Sequence, residues 1–193
     1  VGDISYNFAG DGQLVVGGAT DLTATGNILV THTGNTGGVV SISSGGNFTA
    51  NAGLDFIADG QSIIGSGDAI TVRAEGEAEA NDLRAVSNID FSAGRNALVN
   101  NASVTGPALT ATVGTGTIVL NGIDIRAGGN NDPSFEQFDP NFTAAITGTV
   151  ASTGFVSVTA GGNALFAAGS NTVSDNGLTV RTGDDIIIAS GAL

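Results

Sequence analysis

Cysteine, methionine, tryptophan and lysine are missing from this 193-residue chain, which has one histidine, one tyrosine and three prolines. Without cysteine, neither disulfides nor thiolate metal sites can form. Without lysine, positive charge rests on Arg73, Arg84, Arg95, Arg126 and Arg181, set against 18 acidic residues for a formal charge of −13. That balance argues against nucleic acid as a partner, because displacing counterions needs a basic stripe and five scattered arginines form none. An acidic surface instead keeps an apolar-rich chain soluble. No apolar run approaches membrane-spanning length, so no membrane insertion is expected. Val1-Gly2-Asp3 lacks the basic start of a signal peptide, and the chain reads as a mature or excised piece. Long runs of strong helix formers are also lacking, so almost no helix is expected.

What remains is a composition of strands and turns: 31 glycines among many small and β-branched residues. One template recurs, an apolar-x-apolar stretch followed by a small residue, Gly and then Asn, Asp or Gln. VSISSGGN (40–47), LDFIADGQ (54–61), IDFSAGRN (89–96), IDIRAGGN (123–130) and VSVTAGGN (156–163) fit it, and ITVRAEGE (70–77) and LTVRTGDD (178–185) are variants. Alternation of period two gives a strand with one buried face, and the Gly-Asn or Gly-Asp step turns the chain.

A lag of about 20 residues recurs between these units, the length that three short strands and three corners consume. It pairs Leu22 with Ile42, Gly26-Asn27-Ile28 with Gly46-Asn47-Phe48, and Ile89 with Leu109. It also pairs Leu98 with Ile118, Val158 with Leu178 and Phe166 with Ile186. The expectation is an all-β chain, a single right-handed parallel β-helix (β-solenoid) over residues 1–193, with about nine coils advancing by about 4.8 Å each. Two insertions interrupt it: an acidic bulge near 74–84 and a protruding loop near 127–143. Corner glycines are expected to permit tight stacking and positive φ.

The units AGRNALVNNASV (93–104) and AGGNALFAAGSN (160–171), with the lag of about 20, resemble the filamentous haemagglutinin-like exoproteins of two-partner secretion, and more loosely autotransporter passenger domains. The resemblance covers nearly the whole chain and specifies architecture rather than one protein. It implies an extracellular shaft for attachment or display. Asp139-Pro140-Asn141 does not match the Asn-Pro-containing motif of that family's secretion domain, so no secretion residue carries over.

Chemistry-bearing residues are few. His32 is the only histidine, so no His pair or Ser-His-Asp triad can be built except around it, and a solvent-exposed corner is its ordinary reading. Glu75, Glu77 and Glu79, or Asp184 and Asp185, supply carboxylates, but a glycosidase couple needs two of them fixed about 5–9 Å apart. Their settings suggest a solvated bulge and a corner instead. In the 127–143 loop, Asp132, Glu136 and Asp139 offer hard oxygen ligands for calcium, helped by Asn130, Asn131 and Asn141. The same loop carries Phe135, Phe138 and Phe142, read equally as a partner-contact patch or as a lid on the coil. Thr-x-Thr stretches at 23–25, 31–33 and 112–117 do not share one register, which argues against an ice-binding ladder.

Strand-like alternation runs to both ends of the sequence, which fits a fragment of a longer shaft or end-to-end stacking of identical subunits. The expected function is therefore a non-enzymatic structural or adhesive segment of a secreted or cell-surface bacterial fibre. Its partners would be neighbouring coils of the same protein, identical subunits, or host or cell-surface glycans and proteins. A self-assembling filament subunit and a carbohydrate-binding or carbohydrate-cleaving β-helix protein are the alternatives.

Overall fold

The computed structural model describes residues 2–8, 11–32, 39–106, 110–113, 116–119, 122–128 and 141–192. Twenty-one strands and no helix occur among them. The chain opens with β1 (Ile4–Phe8), β2 (Gly12–Val16), β3 (Thr20–Ala24), β4 (Ile28–His32), β5 (Val40–Ser44), β6 (Phe48–Ala52) and β7 (Phe56–Ser66). It continues through β8 (Ile70–Ala74), β9 (Ala78–Ala85), β10 (Asn88–Ala93), β11 (Ala97–Val104), β12 (Thr110–Val113), β13 (Gly116–Val119) and β14 (Gly122–Ala127). The last third holds β15 (Ala144–Ile146), β16 (Thr149–Ser152), β17 (Phe155–Ala160), β18 (Ala164–Phe166), β19 (Asn171–Ser174), β20 (Leu178–Thr182) and β21 (Ile186–Ile188).

These strands fall into three columns that the chain visits in turn. Column I runs β1-β4-β7-β9-β11-β15-β18-β21 within a 12-stranded sheet. Column II belongs to the same sheet and holds β2, β5, the second halves of β7, β9 and β11, then β16 and β19. Column III is a separate seven-stranded sheet, β3-β6-β8-β10-β14-β17-β20. Every pairing within the columns is parallel, and the only antiparallel pair described is the β12–β13 hairpin.

Side-chain alternation explains the core. Along β10, Ile89, Phe91 and Ala93 are buried, and their partners Ile123, Ile125 and Ala127 on β14 are buried too. Buried residues of both large sheets form one hydrophobic cluster. Bulk is balanced across it: on the pass where column I supplies only Ala78 and Ala80, column III supplies Phe91, whose ring meets Phe56 edge-on at 6.3 Å. The last inward position of column III is alanine on six successive strands: Ala24, Ala52, Ala74, Ala93, Ala127 and Ala160. This is the small residue of the sequence template, set where the chain turns.

Asn and Asp at the turns hold neighbouring passes together. Between columns III and I, the Asn27 N–H donates to Asp3 Oδ1 (2.7 Å), Asp55 N–H to Asn27 Oδ1 (3.1 Å) and Glu77 N–H to Asp55 Oδ1 (2.8 Å). Thr143 N–H donates to Asn96 Oδ1 (3.0 Å), and Asp185 N–H to Asn163 Oδ1 (3.0 Å). Between columns II and III, Ala69 N–H donates to Asn47 Oδ1 (3.2 Å). Each such bond stabilises by about 1 kcal/mol, so the ladder is cumulative. Glycine at these turns answers to close approach rather than to positive φ: a Cβ at Gly94 would overlap the Glu75 carbonyl, and φ is positive only at Gly128, Gly169, Gly177 and Gly191 among the described glycines.

Four expectations need correction. The true lag is 19 residues from Ile70 to Ile89, 22 from Phe48 to Ile70 and 28 from Leu22 to Ala50. Leu22 therefore pairs with Ala50 rather than Ile42, and Ile28 with Phe56 while Phe48 pairs with Ile70. Ile89 pairs with Ile123, and Leu109 lies outside the described residues. Leu98 pairs with Ala145, Val158 with Val180 and Phe166 with Ile188, while Ile118 pairs with Ala111 inside the hairpin. Second, 74–84 is not a bulge: Ala78, Ala80 and Leu83 point into the core along β9. Third, among the described residues column I has eight strands, against the about nine coils expected. Fourth, positive φ is not the common property of the turn glycines, as shown above. Extra chain enters between β4 and β5, between β11 and β14, where the hairpin sits, and between β14 and β15, the place of the 127–143 loop. Residues 129–140 of the expected 127–143 loop lie outside the described residues, but Ala127 and Ala144 on either side are buried and in register.

Candidate functional site

Outward residues of column III carry the most concentrated charge constellation among the described residues. Register places Arg73, Ser92, Arg126, Thr159 and Arg181 in one line, so three of the five arginines that look scattered in sequence share one sheet face. The adjacent line contains Asp90 beside Asp124. Asp90 accepts from Arg73 Nη2 (3.4 Å) and Arg126 Nη2 (2.5 Å), while Arg126 Nε lies 3.1 Å from Asp124 Oδ2. All four side chains are partly buried. Ser92 stands between the two arginines in their line, and its hydroxyl donates to the Val72 carbonyl of the neighbouring strand β8 (3.2 Å).

Burial pushes the Asp124 carboxyl above the ordinary carboxylate range. Arg126 and the Ser157 hydroxyl pull it back, and neighbouring Asp90 pushes it further up. The native state thus holds the Asp124 proton more tightly than the unfolded chain does. This contribution to stability is present below the ordinary aspartate value of about 3.9 and is lost as pH rises through the raised native value. We expect the stability of the native sequence relative to Asp124→Asn to fall as pH rises across that interval, read from paired thermal melts. A difference that grows with pH would contradict this assignment.

Chemically, the cluster ties β8, β10 and β14 together and presents guanidinium and carboxylate groups on a flat face. It is not a free acid–base couple, because Arg126 binds both carboxylates. An open groove of about 520 Å³ lies elsewhere, on column II, lined by Asp82, Arg84, Asn101, Ala102, Ser103, Thr149 and Ala151. Its floor is crossed by the fork in which Arg84 Nε and Nη2 donate to Asp82.

The carboxylates singled out in the sequence are not brought together. Glu75 and Glu77 sit exposed at a III/I turn, whereas Glu79 faces outward from β9. Asp184 and Asp185 occupy the equivalent turn four passes later, their N–H groups bonded to Gly162 O and Asn163 Oδ1. His32 is described by its backbone, which pairs with Phe8. Asp132, Glu136, Asp139, Phe135 and Phe138 lie outside the described residues. Phe142 is half-buried at the start of the following pass, where its carbonyl accepts from Gly162 N–H (2.9 Å). Among the described residues, no three His, Asp or Glu side chains converge as metal ligands. The Arg73–Asp90–Arg126–Asp124 cluster is not visible in sequence because Asp90 stands 17 residues from Arg73 and 36 from Arg126, and only the correct lag aligns them. Compared with family models, curated proteins and solved structures, the chain finds no match.

Proposed function

We propose that the three columns wind as a single right-handed parallel β-helix, and that this helix serves as a non-enzymatic structural and adhesive segment of a secreted or cell-surface bacterial fibre. The filamentous haemagglutinin-like resemblance of 93–104 and 160–171 agrees with such a shaft. One observation carries the reading: Ala97 pairs with Ala144, and Val104 with Ser152, across nearly 50 intervening residues that leave the register undisturbed. A scaffold that absorbs added chain at its turns stays rigid while displaying variable loops and flat polar faces, which is what a shaft with attachment surfaces requires. Host or cell-surface glycans and proteins are the partners such faces fit.

Beads coated with the purified chain should attach to glycan or matrix-protein surfaces without releasing reducing ends from polysaccharides. Failure to attach to either surface would contradict the adhesive part of the reading, and release of reducing ends would favour the carbohydrate-cleaving alternative. Stacking on another coil, of the same protein or of an identical subunit, is favoured by the inward positions Leu178, Ile186 and Ile188, which are 38%, 50% and 51% exposed on β20 and β21. Negative-stain electron microscopy distinguishes filaments from isolated particles.

A further inference from the structure

The outward line of column I differs from every other outward line in being aliphatic. The line starts at Ser5 on β1, and from there Cα partners place a stripe of Leu29, Ile57, Glu79, Leu98, Ala145, Leu165 and Ile187 in sequence along it. Ile187 is 43% exposed and the rest are half-buried. Six strand steps make the stripe about 29 Å tall. Soluble proteins seldom leave an apolar ribbon of this height, interrupted by a single charge, facing water.

We infer that this stripe is the contact face of an antiparallel homodimer, with a two-fold axis through Leu98 and parallel to the strands. Two sheets of the same strand spacing can interdigitate face to face along their whole height, about 10 Å apart. The axis then sets Leu29 against Ile187, Ile57 against Leu165 and Leu98 against its own copy. Glu79, the one charged residue of the stripe, meets Ala145, its one small residue. Thr143 and Thr147, two residues to either side of Ala145, give that carboxylate hydroxyl neighbours.

The flanking turn residues obey the same symmetry. Asp55 comes to face Asn163, Glu77 faces Thr143, and Asp185 faces Asn27, so no acid in that line meets another acid. This matters in a chain of formal charge −13. A two-fold axis running along the stripe would set Glu79 on Glu79 in the middle of the apolar face. Moving the perpendicular axis by half a strand step would set Glu79 against Leu98 or Leu165. Only the axis at Leu98 resolves the stripe without a buried like-charge pair or an unmatched carboxylate. The face is one strand wide and falls below the roughly 1,200 Å² of stable complexes, so the dimer is reversible and forms at high protein concentration.

Sedimentation velocity over a rising concentration series should show a monomer–dimer equilibrium for the intact chain. Leu98→Asp should abolish the dimer, and so should Ala145→Glu, which sets acid against Glu79. The double variant Glu79→Ala with Ala145→Glu exchanges the two roles and should restore dimerisation, an outcome that misfolding of the single variant would not allow. Because the chain has no native cysteine, Leu98→Cys should be cross-linked as a dimer by a short bis-maleimide reaching about 10 Å, while Leu29→Cys should not, its two copies lying about 29 Å apart. A monomer at every concentration, no rescue by the double variant, or a Leu29→Cys dimer would each overturn the inference.

Discussion

Replacing Phe91 with alanine should lower the free energy of unfolding by about 3–5 kcal/mol, the range for removing a large aromatic from a packed interior. Phe91 is fully buried on β10 and spans the width that Ala78 and Ala80 leave on the facing column, ending edge-on against Phe56. Stacked strands cannot close that space, because backbone bonds to the passes on both sides fix the spacing between sheets. Phe91→Leu should cost much less, since it keeps most of the volume. Urea titrations followed by far-UV circular dichroism measure both variants. A loss below about 1 kcal/mol for Phe91→Ala would mean that the cavity is filled by relaxation, and that the packing described is not the limiting one.

The opposite change, Ala93→Leu, should cost about 1–3 kcal/mol through overpacking. Ala93 stands fourth in the line of six inward alanines, buried between Ala74 and Ala127. The turn begins at the next residue, where Gly94 N–H donates to the Ala74 carbonyl (2.9 Å) and the Glu75 carbonyl leaves no space for a side chain at Gly94. Extra methylenes at Ala93 must therefore push on stacked alanines that have no alternative rotamer. The same substitution at Ala145, on the outward face, should leave monomer stability within about 0.5 kcal/mol. Equal effects at the two positions, in the same denaturation assay, would show that the inward alanine line is not close-packed.

Strand existence was legible in the sequence because period-two alternation follows directly from burial of one face. VSISSGGN, IDFSAGRN, IDIRAGGN and VSVTAGGN became β5, β10, β14 and β17 with Val40, Ile89, Ile123 and Val156 inward as the pattern required. The stacking lag was not legible, and the reason is chemical. Ser44-Gly45-Gly46-Asn47 lies at a II/III turn and Ala93-Gly94-Arg95-Asn96 at a III/I turn, yet both need a small inward residue, a glycine and an amide that bonds the next pass. One motif serving two turns makes a lag measured between motifs meaningless. The acidic stretch 74–84 misled for a related reason: its buried side chains are mostly alanines, whose hydrophobic signal is weak beside that of four carboxylates. The Asp90–Arg126–Asp124 cluster and the aliphatic line of column I depend on the lag, so both stayed hidden until strand register was known.

Register also explains how function and stability separate in this molecule. Inward lines of alanine, isoleucine and phenylalanine carry the core, and turn amides join the passes. Outward lines are then free to differ, with an arginine line on column III and an aliphatic line on column I. Substitutions confined to outward lines should alter attachment or association with little effect on folding, which makes the proposed roles separable by mutation.

Strand register through the whole of column III is the central claim, and one spin-label distance tests it. Thr49 and Thr179 lie 130 residues apart in sequence, but they share the outward line Thr49, Thr71, Asp90, Asp124, Ser157 and Thr179. Five parallel strand steps place them about 24 Å apart. With nitroxides on Thr49→Cys and Thr179→Cys, double electron–electron resonance should give one narrow distribution centred near that distance. A broad distribution, or a maximum displaced by two or more strand steps, would contradict the stacked register on which the fold and both proposals rest.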